Sequence, residues 1–414
     1  MTGTLDHTTA PAGPADLAAA PRPTGSHPAP LRADDDRFVG LAADIGAVAA
    51  AHSDDHDRDA TFVAEAYEAM KATGYLRLAV PTELGGLGAT MRQVCYAQAE
   101  LARYDGATAL AAAMHGYNVL AQVFRRRSGA PDAEGVLRRV ADEGIVIATS
   151  GGSDWLWPTT VAVPTDDGSA YRVSGRKVFC SQAPGATVIA TCAVVGEPGA
   201  GGEVLHFSVP LGADGVRLEE TWDTLGMRGT ASHDLVFDDV VVPAERIAGK
   251  RPYGERGGPL NVALVHFAPV GGATYLGIAQ GARDHVVAAA TERSRGANPL
   301  AELERVQRQV GLIDGKLQVA WWGLMGSLDQ IGDAYGADDG TVATVMQAKR
   351  HAVLAAIEAV DLAMETLGGR SYFRRSPLER ALRDVRAGTF HPLTPENTLT
   401  FAGRHALGQP NAGE

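Results

Sequence analysis

Cysteine is scarce in this chain: Cys95, Cys180 and Cys192 are the only three among 414 residues, with no CxxC spacing. An odd, scattered set argues against a disulfide framework or a zinc site and fits a reducing compartment. A cytoplasmic location and no metal are therefore expected. Positive charge is also short, 37 Lys and Arg against 49 Asp and Glu, a net charge of −12. Nucleic-acid binding needs a basic face, so nucleic acid is not an expected partner. No uninterrupted apolar span of membrane length stands out, and no membrane helix is expected. The first 35 residues, rich in Ala, Pro, Thr and Gly, lack a basic stretch followed by an apolar one. They read as a disordered tail rather than a secretory signal.

What is present is ordinary for a globular protein: 45% hydrophobic and 21% charged residues, over a length that suits two to three domains. Residues 36–145 carry apolar positions at three- and four-residue spacing and read as an α-helical domain. Over 146–250 the pattern changes to short β-branched runs such as "AYRVSGRKVFCS", "TVIATCAVV" and "HDLVFDDVVVP", which read as an antiparallel β domain. Over 251–414 the helical period returns in three long segments, an α-helical bundle. The segment "VAWWGLMGSL" is apolar around most of its circumference, so it needs burial inside the bundle or against a second copy. The fold class is thus α+β, mainly α: helices, a strand-rich middle, then helices.

Four motifs, in order, resemble the acyl-CoA dehydrogenase superfamily: "PTELGGLGAT", "ATSGGSDW" with "YRVSGRKVFCSQ", "LGMRGTASHDLVFDDVVVP", and "LGGRSYFRRSPLERALRDVR". Together they span roughly residues 40 to 408. The resemblance implies a C-terminal four-helix bundle, a bound flavin (FAD, with FMN open) and assembly as a homodimer or homotetramer. It places Phe179 on the flavin ring and the Ser181 hydroxyl near flavin N5. Thr149, Ser150 and Ser153 fall on a loop that the family uses for the flavin. Arg293, with Arg295 as its alternative, and the pair Gly368 and Gly369 fall where the family reaches the pyrophosphate of a flavin held by a neighbouring subunit. Read from the residues alone, Gly368 and Gly369 are helix C-caps.

Dehydrogenases of this superfamily remove the substrate α-proton with a glutamate, a carboxylate placed at contact distance. Counting nine residues from Arg383, or backward from "GRHALG", lands on Pro392. The other position used by some members falls on Phe267. Glu396 is the nearest carboxylate and reads as a solvated loop or helix-cap residue. His391 stands eight residues after Arg383, where the sequence resembles the two-component flavin-dependent monooxygenases. In that branch a serine and a histidine help form and protect a C4a-hydroperoxyflavin, and a separate reductase supplies reduced flavin. His115, in "AAAMHGYN", lies on a helix that lines the family's substrate cavity. Three readings follow: a monooxygenase acting on a small organic substrate through His391 and Ser181, an acyl thioester dehydrogenase with a displaced base, and a flavin-binding scaffold without chemistry.

Overall fold

The computed structural model describes residues 35–199, 201–292 and 299–411. The expected tail, except its last residue, lies outside the described residues, as do Arg293 and Arg295.

Five helices come first: α1 (Asp36–Asp59), α2 (Ala64–Thr73), α3 (Met91–Tyr104), α4 (Gly106–Arg127) and α5 (Ala133–Asp142). Helix α3 opens with a capping box in which Thr90 and Gln93 satisfy each other's amides. Helix α4 starts where the Asp105 carboxylate accepts from Thr108 N, and its Ala- and Gly-rich first four turns are almost wholly buried. Small side chains let neighbouring helices approach it from several sides.

The middle segment holds β1 (Ile147–Thr149), the short α6 (Gly152–Leu156), β2 (Val161–Pro164), β3 (Ala170–Lys177), β4 (Val188–Val195), β5 (Glu203–Pro210), β6 (Val216–Glu219), β7 (Asp234–Pro243) and β8 (Gly249–Pro252). They form one sheet in the order β6-β7-β3-β2-β4-β5-β8, with β1 paired to β4. The sheet is mostly antiparallel, as expected, but β1 and β2 both run parallel to β4. They lie end to end along the same edge of β4, and α6 intervenes between them.

The C-terminal helices are α7 (Pro259–Thr291), α8 (Glu304–Ile331), α9 (Asp339–Leu367), α10 (Pro377–Val385) and α11 (Pro395–Ala406). The three long ones pack together, and the short α10 and α11 close against α9. Helix α7 is the axis of the molecule, touching α3, α4, α8 and α9. A Cβ on Gly277 would lie 2.2 Å from the carbonyl oxygen of Ala99, and one on Gly281 2.3 Å from that of Arg103. Only glycine allows α7 to lie this close to α3. By length and composition alone α7 could cross a membrane, although polar residues such as Asn261, His266 and Gln280 interrupt it. Its most apolar window is 83% buried within the fold, which explains the composition. Trp321 of "VAWWGLMGSL" is buried in the core, whereas Trp322 is 54% exposed.

Candidate active site

Two loops meet beside α7 and build the site. The first leads from β1 into α6. Lys177, at the end of β3, is fully buried, and its Nζ donates to both Asp154 carboxylate oxygens at 3.0 and 3.1 Å and to the carbonyl of Cys192. A buried ammonium is costly unless paired and hydrogen-bonded, so this cluster is closely constrained. Ser150 Oγ donates to Asp154 at 2.6 Å and lies 3.0 Å from Thr191 Oγ1. The Ser150 hydroxyl is thus consumed in pinning the loop, and Thr149 Oγ1 accepts from Tyr117 at 3.3 Å. Ser153 is exposed.

Strand β3 ends at Lys177, four residues before the expected limit at Ser181. The chain leaves the sheet because Phe179 and Gln182 adopt left-handed φ values of 55° and 61°, while Cys180 N donates to His233 O and Gln182 N to Thr230 O. Cys180 turns into the core, and Phe179 is left 57% exposed, edge-on to Trp222 at 5.9 Å. A Cβ on Gly151 would come within 3.2 Å of the Phe179 side chain, so a bare backbone passes beside that ring.

Ser181 lies at the head of a polarised hydroxyl relay. Thr230 Oγ1 donates to the Met227 carbonyl at 2.8 Å. Its only hydrogen is then spent, so Ser232 must donate to Thr230 across 2.7 Å, and Ser181 to Ser232 across 2.8 Å. Ser181 Oγ is left with lone pairs and acts as an acceptor.

The second loop follows α10. Arg383 is buried and makes a bidentate pair with Asp57 at 2.6 and 2.8 Å, while also donating to Glu379 and to the Leu225 carbonyl. Asp384 accepts from Met227 N at 2.5 Å, and burial pushes its carboxyl pKa up to about 7. Two of the sequence motifs therefore meet, "GMR" against "RD", and the root of the loop is tied to α1 and to the β segment.

His391 follows. Its Nδ1 lies 2.8 Å from the Tyr275 hydroxyl, and its ring stands edge-on to Phe267 at 5.7 Å. Phe267 in turn meets Tyr117 at 5.5 Å, which closes a chain from His391 back to Thr149. Pro392 abuts the first loop, since a Cβ on Gly152 would fall 2.2 Å from it. Under the second loop, Lys349 is buried and donates to the carbonyls of His391, Pro392 and Leu393 at 2.8, 3.2 and 3.0 Å. Its Nζ also sits 5.6 Å from the Phe267 ring centre. Burial lowers Lys349 to about 7, and burial together with the charge of Lys349 lowers His391 to about 3. No described carboxylate offsets either shift.

His391, Phe267 and Pro392 thus come together, while Phe179 flanks the first loop and Ser181 lies against Ser232. His115 does not join them: its Nε2 is bonded to the Leu76 carbonyl at 2.6 Å and its Nδ1 to Ile147 N at 3.0 Å, so both ring nitrogens are taken by backbone. Glu396 is exposed in the first turn of α11. Gly368, with φ 64°, and Gly369 end α9 on the surface, with nothing near where a Cβ would be. Lys349 and Tyr275 were not singled out from the sequence. The signal for Lys349 was present: Val345, Met346, Ala352 and Val353, at three- and four-residue spacing around it, are all buried, so the period already put a lysine on an inward face.

An exposed aromatic beside bare glycine backbone, a half-buried serine oxygen left as an acceptor and a neutral imidazole suit a flat heteroaromatic ring with N–H edges, and a flavin fits that description. Comparison with known proteins agrees. Models for the N-terminal, middle and C-terminal domains of acyl-CoA dehydrogenase match residues 44–128, 148–240 and 270–396. The chain is 31% identical to the putative acyl-CoA dehydrogenase YdbM of Bacillus subtilis, over 86% of this chain and 91% of that one. It is 32% identical to the amino sugar nitrososynthase DnmZ of Streptomyces peucetius, over 87% and 90%. Among solved structures it is similar to KijD3 in complex with FMN and dTDP-3-amino-2,3,6-trideoxy-4-keto-3-methyl-D-glucose, with a TM-score of 0.78, 27% identity, and coverage of 96% and 97%. The fold and site define a flavin-dependent oxidoreductase. The chain belongs to the acyl-CoA dehydrogenase family, and its relatives include the nitrososynthases as well as dehydrogenases.

Proposed function

We propose that this protein is a monooxygenase that N-oxidises the amine of a small substrate of the amino-sugar class. The observation that carries the reading is the pair Phe267 and Pro392 at the two positions where a base glutamate is expected, with neutral His391 packed on Phe267. An acyl thioester cannot be deprotonated by those side chains. The nitrososynthase relatives support the choice of an amine.

Bound reduced flavin, as FAD or FMN, supplies two electrons and activates dioxygen; one oxygen atom goes to the substrate nitrogen and the other leaves as water. The residues of the chain hold and shield. Ser181 Oγ, left as an acceptor, would take a hydrogen bond from an N–H of the bound ring. His391 stays neutral at working pH, so it offers a hydrogen bond rather than a proton. Phe179, Trp222 and Phe267 provide apolar walls that keep water off the reacting atoms. A separate reductase delivers the reduced flavin, and the open face of α8 serves self-association.

The test is to load the protein with flavin and compare two reactions. Oxygen-dependent addition of one oxygen atom to an amino sugar, read by mass spectrometry, is the expected result. Anaerobic bleaching of the oxidised flavin by an acyl-CoA would instead establish a dehydrogenase with a displaced base.

A further inference from the structure

The neutral imidazole of His391 carries one hydrogen, and the protein decides which nitrogen holds it. Tyr275 is fully buried on α7, and its hydroxyl has no partner among the described residues other than His391 Nδ1 at 2.8 Å. If the hydroxyl only accepted, its own hydrogen would be buried and unused, which is unfavourable. Donation to Nδ1 removes that cost. An accepting ring nitrogen bears no hydrogen, so the hydrogen must sit on Nε2.

The frame around the ring makes this choice persist. Lys349 Nζ lies within hydrogen-bond distance of three successive carbonyls, those of His391, Pro392 and Leu393. That leaves the backbone carrying the ring little freedom. Phe267 stands against the imidazole on one side. Nε2 has no partner among the described residues.

We propose that Tyr275 is a positioning residue that fixes the tautomer of His391, so that an Nε2–H donor is preset toward the bound flavin and oxygen. The inference rests on the role given to His391 above, but it concerns the resting protein and can be read without turnover. A hydrogen already on Nε2 requires no proton rearrangement when charge develops on oxygen, which is how a preorganised donor stabilises it. The other tautomer would present a bare lone pair to an electron-rich oxygen and repel it.

The experiment is two-bond proton–nitrogen NMR on protein labelled with 15N-histidine, with the His391 signals assigned by their loss in His391→Asn. The expected wild-type pattern is that of the Nε2–H tautomer. Tyr275→Phe, which keeps the ring and removes the hydroxyl, is expected to give a mixed or inverted pattern. It is also expected to shorten about ten-fold the delay before oxidised-flavin absorbance returns when reduced holoenzyme meets oxygen, with flavin affinity unchanged. A wild-type Nδ1–H pattern, or a pure Nε2–H pattern that survives in Tyr275→Phe, overturns the proposal. If the tautomer shifts as expected while His391→Asn leaves the delay unchanged, the tautomer lock stands and the oxygen role of His391 falls.

Discussion

Lys349 Nζ and the carbonyl oxygen of His391 are 2.8 Å apart, and the same ammonium reaches the carbonyls of the next two residues. A side chain on α9 thereby fixes a loop that otherwise has little regular structure. The loop carries His391, so under the proposed role of that residue its rigidity serves positioning as well as packing.

Lys349→Met keeps the apolar stem and removes all three donors. The amide protons of His391 and Leu393, Pro392 having none, are expected to exchange at least ten-fold faster, while those of the α3–α7 contact stay protected. Hydrogen exchange by mass spectrometry separates these regions, and uniform exchange across both would show that Lys349 supports the whole fold rather than the loop.

Arg383→Ala leaves Asp57 and Glu379 facing each other without their shared cation. Breaking one side of a buried ion pair costs about 3–5 kcal/mol, so a large loss in denaturant midpoint is expected. Arg380→Ala, which removes a pair with the mostly exposed Asp54, is expected to cost no more than about 1 kcal/mol.

Acid is expected to unfold the protein steeply. Burial holds His115 and His266 down to about 4, and His206 and His391 to about 3. The unfolded chain takes these protons near the ordinary histidine value, so it binds more of them, and stability is lost as pH falls from about 6.5 toward 4. Asp384, whose pKa burial raises to about 7, acts in the opposite sense, since the folded state keeps its proton where the unfolded state has lost it. Four protons against one leaves a net slope of roughly 4 kcal/mol per pH unit near pH 5. Denaturant titrations at pH 7 and pH 5 measure it.

The exposed side chains Leu312, Val319 and Trp322 recur along α8 at helical spacing. If this face joins two copies, Trp322→Glu is expected to lower the mass measured by light scattering to that of a smaller assembly. An unchanged monomeric mass in the wild type would remove the face from consideration as a self-association surface.

Much of the fold was legible because periodicity reports burial: the three long C-terminal helices and most strands follow from it. The parallel pairings of β1 and β2 with β4 were not legible, because strand pairing is decided between segments distant in the chain. The end of β3 was missed for a local reason: Phe179 and Gln182 take left-handed backbone conformations that their residue types rarely adopt. At the site, motif spacing put Pro392 and Phe267 at the two positions where a base glutamate is expected, with His391 next to Pro392; the packing of the His391 ring on Phe267 is seen only in the structure. For His115 a satisfied core histidine was the commoner reading beside a ligand-facing one, but its backbone partners, Leu76 and Ile147, come from remote segments and were not legible. Tyr275 and Lys349 act on His391 from 116 and 42 residues away, a relation no short motif encodes.

His391 is proposed to shield an oxygen-reactive flavin. The most direct measurement is to reduce the flavin-loaded protein anaerobically, mix it rapidly with oxygenated buffer, and time the return of oxidised-flavin absorbance in wild type and His391→Ala. The expected result is a clear delay in the wild type, shortened at least ten-fold in the variant, with flavin affinity unchanged. An equally long delay in His391→Ala would contradict the account.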